Sequence, residues 1–202
     1  MDGVGEPDNV NITYVGPVIG SGDNLGVSGT AFVFLIAKNI KGKVKMFQPT
    51  PNTNNESREI NLGDNVRFEW TYNVNSVRSL LTTAHKIAMT ESSLVVFNFF
   101  PTSLGTNRVR NFIWSLIPFY LRFYRKTVLM IFHNSVTTTS DWKSLGYSKI
   151  KDSISARLYT MVERTLFSAT CSVFLLESYK TIIRSKLGLN VLAAPFKYII
   201  GT

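Results

Sequence analysis

The stretch SVRSLLTTAHKIAMTESSLVVFNFF, residues 76–100, changes its apolar period half-way along, and that change decides the fold. Val77, Leu80, Leu81, Ala84, Ile87 and Ala88 fall at i, i+3, i+4, i+7, i+10 and i+11, the spacing of one buried stripe on an amphipathic helix. Ser76 stands where an N-cap belongs, and its hydroxyl can accept from a free backbone N–H of the first turn. Beyond Thr90 the apolar positions become consecutive. Ser93-Leu94-Val95-Val96-Phe97 then reads as a strand covered on both faces, as strands of parallel sheets are.

The same alternation extends in both directions. Downstream, an aromatic helical segment is expected from about Asn107 to Arg125, kinked or divided at Pro118. A buried strand, Thr127 to Phe132, follows and stops at His133-Asn134. A long helix comes next, with Ile150, Ile154, Leu158, Met161, Val162, Thr165 and Leu166 as its expected buried stripe. The chain continues with a strand from Cys171 to Leu176, a helix from Ser178 to Leu187 and a strand from Asn190 to Ala194. Upstream, a strand from Asn9 to Val15 leads through Gly16-Pro17 into a glycine-rich loop, Gly20 to Gly29. An apolar helix from Thr30 to Ile40 and strands at Val44–Phe47 and Val66–Tyr72 complete the series. Strands alternating with helices throughout predict an α/β fold: a doubly wound, mostly parallel Rossmann-like sheet with helices on both faces, in a single domain over residues 1–202.

Composition agrees with a well-filled core, since 45% of the 202 residues are hydrophobic and 17% charged. The single cysteine, Cys171, excludes an internal disulfide and is expected to be a buried strand residue. A net charge of +9 implies attraction to polyanions: nucleic acid, anionic lipid or phosphorylated substrates. Residues 1–11 carry three acids and no base, unlike a signal peptide, and no apolar run reaches the ~20 residues that span a bilayer. The expected location is the cytoplasm, peripheral on the inner face of the membrane.

Chemistry is sought beyond the carboxyl ends of the strands, where open α/β sheets bind ligands. The loop after the first strand holds Gly26, Val27 and Ser28. It lacks the third glycine of a dinucleotide fingerprint and the Gly-Lys-Ser/Thr of a P-loop. It is either a ligand-free turn or an anion site at a helix N-terminus. After the fourth strand, Asn98, Thr102 and Ser103 lie in a loop rich in small polar groups. It suits hydrogen bonding to a polyol, or serves simply as a connection. His133, Asn134 and Ser135 follow the next strand. His133 is the leading candidate for proton transfer or for contact with a phosphate or sugar, against a structural histidine bonded to backbone. His85 reads as a surface residue. Arg108, Arg110, Arg122 and Arg125 bracket an apolar middle containing Trp114. That pattern fits an interfacial segment facing anionic lipid, or equally a core helix with solvated ends. No metal-ligand spacing, hydrolase elbow or nucleic-acid motif is present.

Taken in order, the glycine-rich turn, Val128-Leu129-Met130-Ile131-Phe132-His133-Asn134, Glu163-Arg164 and the run from Ala169 to Lys180 resemble family 4 glycosyltransferases of the GT-B fold. The turn Ala194-Pro195-Phe196-Lys197 is similar to the family's crossing into the second domain, with Phe196 where His is common. The resemblance implies the acceptor-side half of an enzyme that moves a sugar from a nucleotide sugar to a saccharide or lipid-linked acceptor. It implies Gly26 and its neighbours near the phosphates, and His133 at the transferring sugar. The nucleotide sugar would be a co-substrate, with no separate cofactor. The paired glutamates of the donor site would come from a second, donor-binding domain absent from these residues, so that the chain is expected not to transfer sugar unaided. The alternatives are a noncatalytic Rossmann-like binding domain or subunit and, less favoured, a nucleic-acid-binding protein.

Overall fold

In the computed structural model, residues 10–16, 38, 41–50, 64–99, 107–132, 150–174, 177–188 and 192–193 are described. Their elements run β1 (Ile12–Val15), β2 (Val44–Pro49), β3 (Val66–Tyr72), α1 (Val77–Ala88), β4 (Leu94–Phe99), α2 (Arg108–Phe123), β5 (Thr127–Phe132), α3 (Ile150–Ala169), β6 (Cys171–Phe174), α4 (Glu177–Leu187) and β7 (Leu192–Ala193). The strands form one sheet in the order β3-β2-β1-β4-β5-β6-β7, with every pairing parallel. The chain therefore winds outward from β1 to β3, returns to the other side of β1, and winds outward again. This is the doubly wound order expected, and its switch point lies between β1 and β4. The glycine-rich loop lies outside the described residues, as does the helix expected at 30–40 except for Lys38.

Hydrophobic burial holds the layers together. Val15 sits in register with Phe47 on one side and Phe97 on the other, and Phe97 continues to Met130. All four belong to the core cluster shared with Leu80, Ala84 and Ile87 of α1, Trp114, Ile117 and Leu121 of α2, Leu166 and Phe167 of α3, and Ile183 of α4. The alternate strand positions Tyr14, Met46, Val96 and Ile131 are buried as well, so the central strands are covered on both faces. Phe132 meets Phe167 edge-on at 5.0 Å. At the amino edge the Lys126 ammonium donates to the carbonyls of Thr90 and Ser92, tying the turn before β5 to the turn before β4.

Helix ends follow local chemistry. Ser76 caps α1, its Oγ accepting from the Ser79 N–H at 3.2 Å, and Asn107 caps α2 by accepting from the Arg110 N–H at 3.0 Å. At the far end of α2 the Arg125 N–H donates to the Arg122 carbonyl and the Lys126 N–H to that of Leu121. That is a Schellman closure, and it puts Arg125 at φ 57, a left-handed conformation usually left to glycine.

The structure corrects four expectations. Pro118 does not divide its helix: α2 runs unbroken over 16 residues, because Trp114, Ile117 and Leu121 anchor it in the core on both sides of the proline. Of the stripe expected on α3, Leu166 is buried and Val162 packs against the core, but Ile154, Leu158, Met161 and Thr165 are exposed, since the helix turns Glu163, Leu166 and Phe167 inward. On α1, Val77 and Leu81 of the expected stripe are exposed, and Thr83 is buried in their stead. Cys171 is exposed, because it opens β6 at the amino edge, where the chain leaves α3.

Candidate functional site at the sheet switch point

β1 and β4 are the neighbouring strands at which the winding reverses, and open α/β sheets bind their ligands beyond the carboxyl ends of such a pair. Two residues meet at this point. Gly16, directly after β1, has φ 151, and a Cβ built on it would stand 2.6 Å from the Asn98 Cβ. Only glycine meets both conditions, so the backbone of β1 passes against β4 with no side chain between them. The Gly16 N–H is held by the Phe47 carbonyl at 3.1 Å.

Asn98 is buried, and its Nδ2 donates to the Tyr14 Oη at 2.9 Å. Burial pushes the Tyr14 phenol above its usual range, and the Asn98 hydrogen bond opposes this only in part. Tyr72, also buried, is pushed up by burial first and by the nearby Tyr14 second. Both phenols therefore stay protonated as neutral hydrogen-bonding groups. Asn98, expected to contact a polyol, is thus placed at the switch point, with its amide engaged in bonding β4 to β1.

A second group of polar residues lies at the same edge, where β3 enters α1 and α2 begins. The Asn73 Oδ1 accepts from the Asn75 N–H at 2.8 Å, and the Ser79 Oγ accepts from the Asn73 N–H at 3.0 Å. The Asn75 Oδ1 accepts from the Arg110 guanidinium at 2.6 Å. The Arg110 Nε is buried without a hydrogen-bond partner among the described residues. Sequence reasoning missed this cluster, although two asparagines in Asn73-Val74-Asn75 directly after a strand are a turn signal.

Of the other expected site residues, Gly26, Val27, Ser28, Thr102, Ser103, His133, Asn134 and Ser135 lie outside the described residues. His133 directly follows Phe132, the last residue of β5. Arg108 opens α2, and Arg122 and Arg125 are exposed at its far end, some 20 Å away at ~1.5 Å per residue. Trp114 does not face a membrane. It is 1% exposed, packed against Tyr72 at 4.7 Å and Phe97 at 5.3 Å, because it falls on the sheet side of α2. His85 is exposed as expected, yet its Nδ1 lies 3.1 Å from the Tyr120 hydroxyl. Among the described residues no three His, Cys, Asp or Glu side chains come together as a metal-binding group, and no helix is long and apolar enough to cross a membrane.

Comparison with solved structures bears on this geometry. UGT2 of Phytolacca americana, solved with UDP-2-fluoro-glucose and pterostilbene, superposes with a TM-score of 0.53 at 8% identity, over 92% of this chain and 54% of that one. The likeness is one of fold. It supports a Rossmann-like α/β architecture for this chain. A putative UDP-N-acetylglucosamine 2-epimerase from Listeria monocytogenes gives a TM-score of 0.47 at 8% identity, over 88% of this chain and 42% of that one. This chain thus spans about half the length of either structure. No family model matches the sequence, and no curated protein does.

Proposed function

We propose that these residues form the acceptor-side half of a nucleotide-sugar-dependent glycosyltransferase, similar to family 4. The observation that carries the reading is the switch point of a doubly wound parallel sheet, where Gly16 and Asn98 meet across β1 and β4. The fold-level likeness to about half of a plant enzyme solved with a UDP-sugar supports it. The glycine-rich loop after β1 and the His133-Asn134-Ser135 segment after β5 join the chain at this same edge.

In this reading the acceptor, a saccharide or a lipid-linked sugar, lies across the carboxyl edge. Gly26, Val27 and Ser28 approach the phosphates of the donor, Thr102 and Ser103 bond sugar hydroxyls, and His133 stabilises charge or moves a proton at the transferring sugar. Grip on the nucleotide comes from a second Rossmann-like domain, on the same or another polypeptide. Holding the two reactants together contributes up to ~7–11 kcal/mol to such a reaction, so the acceptor half alone should be inert. The test is transfer of labelled sugar by these 202 residues, alone and combined with a donor-binding half. Activity only in the combination is expected. Failure of every combination, with both parts folded, would remove the proposal.

A further inference from the structure

We propose that the cavity at the amino edge of β1, β2 and β3 binds a phosphate group, as the free ion or as a small phosphate monoester. It lies at the opposite end of β1 from Gly16 and stands whether or not the switch point handles sugar.

The cavity, of about 160 Å³, is lined by Asn11, Lys43, Lys45, Arg67, Glu91 and Ser92. Its walls are strand starts, and the turns around them are pinned. The Lys43 N–H donates to the Asn11 Oδ1 at 3.1 Å, and the Lys43 carbonyl accepts from the Ile12 N–H at 2.9 Å. The Asn65 Nδ2 donates to the Gly42 carbonyl at 3.0 Å, while the Asn65 carbonyl accepts from the Val44 N–H at 2.8 Å. A Cβ on Gly42 would run into the Val10 carbonyl, so the turn before β2 lies directly on the chain entering β1. Each of these contacts fixes backbone. None of them uses the charged end of Lys43 or Arg67. Both side chains are exposed, and neither has a hydrogen bond or ion pair among the described residues. Lys45, the register partner of Arg67, has a partner of its own, so the cations open to a ligand are Lys43 and Arg67.

Ser92 supplies the independent sign. It is 1% exposed, and its Oγ is buried without a hydrogen-bond partner among the described residues. Its backbone carbonyl is already taken by the Lys126 ammonium. A buried hydroxyl with nothing to bond is costly, and in a cavity wall it marks a place that a ligand completes. Chemistry decides the ligand. An ammonium and a guanidinium offer donors and no acceptor, and the hydroxyl adds one donor more. They stand against a single carboxylate, that of exposed Glu91. A metal cation would meet two like charges, and an apolar group would leave every donor unmet. A phosphate takes charge-assisted bonds from both cations and a further one from the hydroxyl. The cavity is also small for a whole nucleotide, since pockets that bury drug-sized ligands begin near ~300 Å³.

The test uses the full 202-residue chain, with sodium phosphate and glycerol phosphate each compared with sodium chloride at matched ionic strength. Screening of the +9 net charge is then common to all arms. Either phosphate at about a hundred times its Kd should raise the melting temperature by roughly 5–10 °C over chloride. Tighter binding of the ester assigns the site to a phosphorylated small molecule, and tighter binding of the free ion assigns it to phosphate itself. Lys43→Gln and Arg67→Gln should each weaken binding about fivefold, and Glu91→Gln should tighten it about twofold. Ser92→Ala separates a built site from diffuse attraction, because it leaves the net charge unchanged. It should weaken phosphate about tenfold and leave the unligated chain no less stable, since the lost hydroxyl bonds nothing. Arg122→Gln, at a separate cavity beside β5 and β6, should leave binding as it was. Circular dichroism keeps unfolded variants out of the comparison. No shift beyond chloride, a shift that Ser92→Ala leaves intact, or one that Arg122→Gln weakens as much as Arg67→Gln would each overturn the proposal. So would a Ser92→Ala chain that melts well below the parent without phosphate.

Discussion

Replacing Gly16 by alanine tests the switch-point geometry on its own terms. The added Cβ would sit 2.6 Å from the Asn98 Cβ, whereas ordinary carbon contacts begin near ~3.5 Å, so β1 and β4 must separate by about 1 Å. Overpacking of that kind costs roughly 1–3 kcal/mol. Holding a non-glycine residue at φ 151 adds on the order of 1–3 kcal/mol more. A total of ~2–6 kcal/mol in a chain of this size lowers the melting temperature by about 4–24 °C. Far-UV circular dichroism during thermal and urea unfolding reads both. The steric share can be separated by making the same change in an Asn98→Gly background, where the opposing Cβ is gone. There Gly16→Ala should cost less by the overpacking share, leaving only the backbone penalty. If the cost is the same in both backgrounds, contact with Asn98 is not its source. If Gly16→Ala is neutral in the parent, the close approach of Gly16 to Asn98 is not as described.

Other outcomes follow from single contacts. Asn98→Ala leaves the buried Tyr14 hydroxyl without its donor and should cost about 1–3 kcal/mol in urea unfolding, of which Tyr14→Phe in the same chain should recover part. Arg125→Gly relieves a left-handed arginine and should stabilise by about 1 kcal/mol, a rise of ~2–4 °C in melting temperature. Trp114→Ala should cost roughly 3–5 kcal/mol, as a core truncation does; a small loss would return Trp114 to the surface. In an enzyme completed by a donor half, His133→Ala should lower transfer by ~10²-fold or more with little change in melting temperature. A variant that melts far lower but keeps its specific activity would make His133 structural.

What could be read from the sequence was what local periodicity and capping encode. The consecutive apolar run at Leu94–Phe97 has no solvent face, so it belongs inside a parallel sheet, and Ser76 before a 3.6-period stripe marks a helix start by its hydrogen-bonding chemistry. The sense in which α3 turns was not legible. Its residues offer two apolar arcs, Ile154-Leu158-Met161 and Leu166-Phe167, which the expected stripe ran together, and packing into the core, with Phe167 against Phe132 of β5, selects the second. Trp114 misled for a related reason. Arginines flank the whole of α2, but flanking charge says nothing of which side faces the sheet. Pro118 reads locally as a break, yet packing on either side outweighs the one hydrogen bond that it removes. The contact of Gly16 with Asn98 joins residues 82 positions apart through strand order, which no local pattern carries.

The most direct test of the central claim is a thermal-shift measurement of the 202-residue chain against nucleotide sugars and against acceptors, namely polyprenyl phosphates, lipid-linked sugars and oligosaccharides. A ligand of the folded chain at about a hundred times its Kd stabilises by ~2.7 kcal/mol, a shift of roughly 5–10 °C. An acceptor half should show that shift with one class of acceptor and little or none with any nucleotide sugar until a donor-binding half is added. A clear shift with a nucleotide sugar, accompanied by its turnover by these residues alone, would contradict the account.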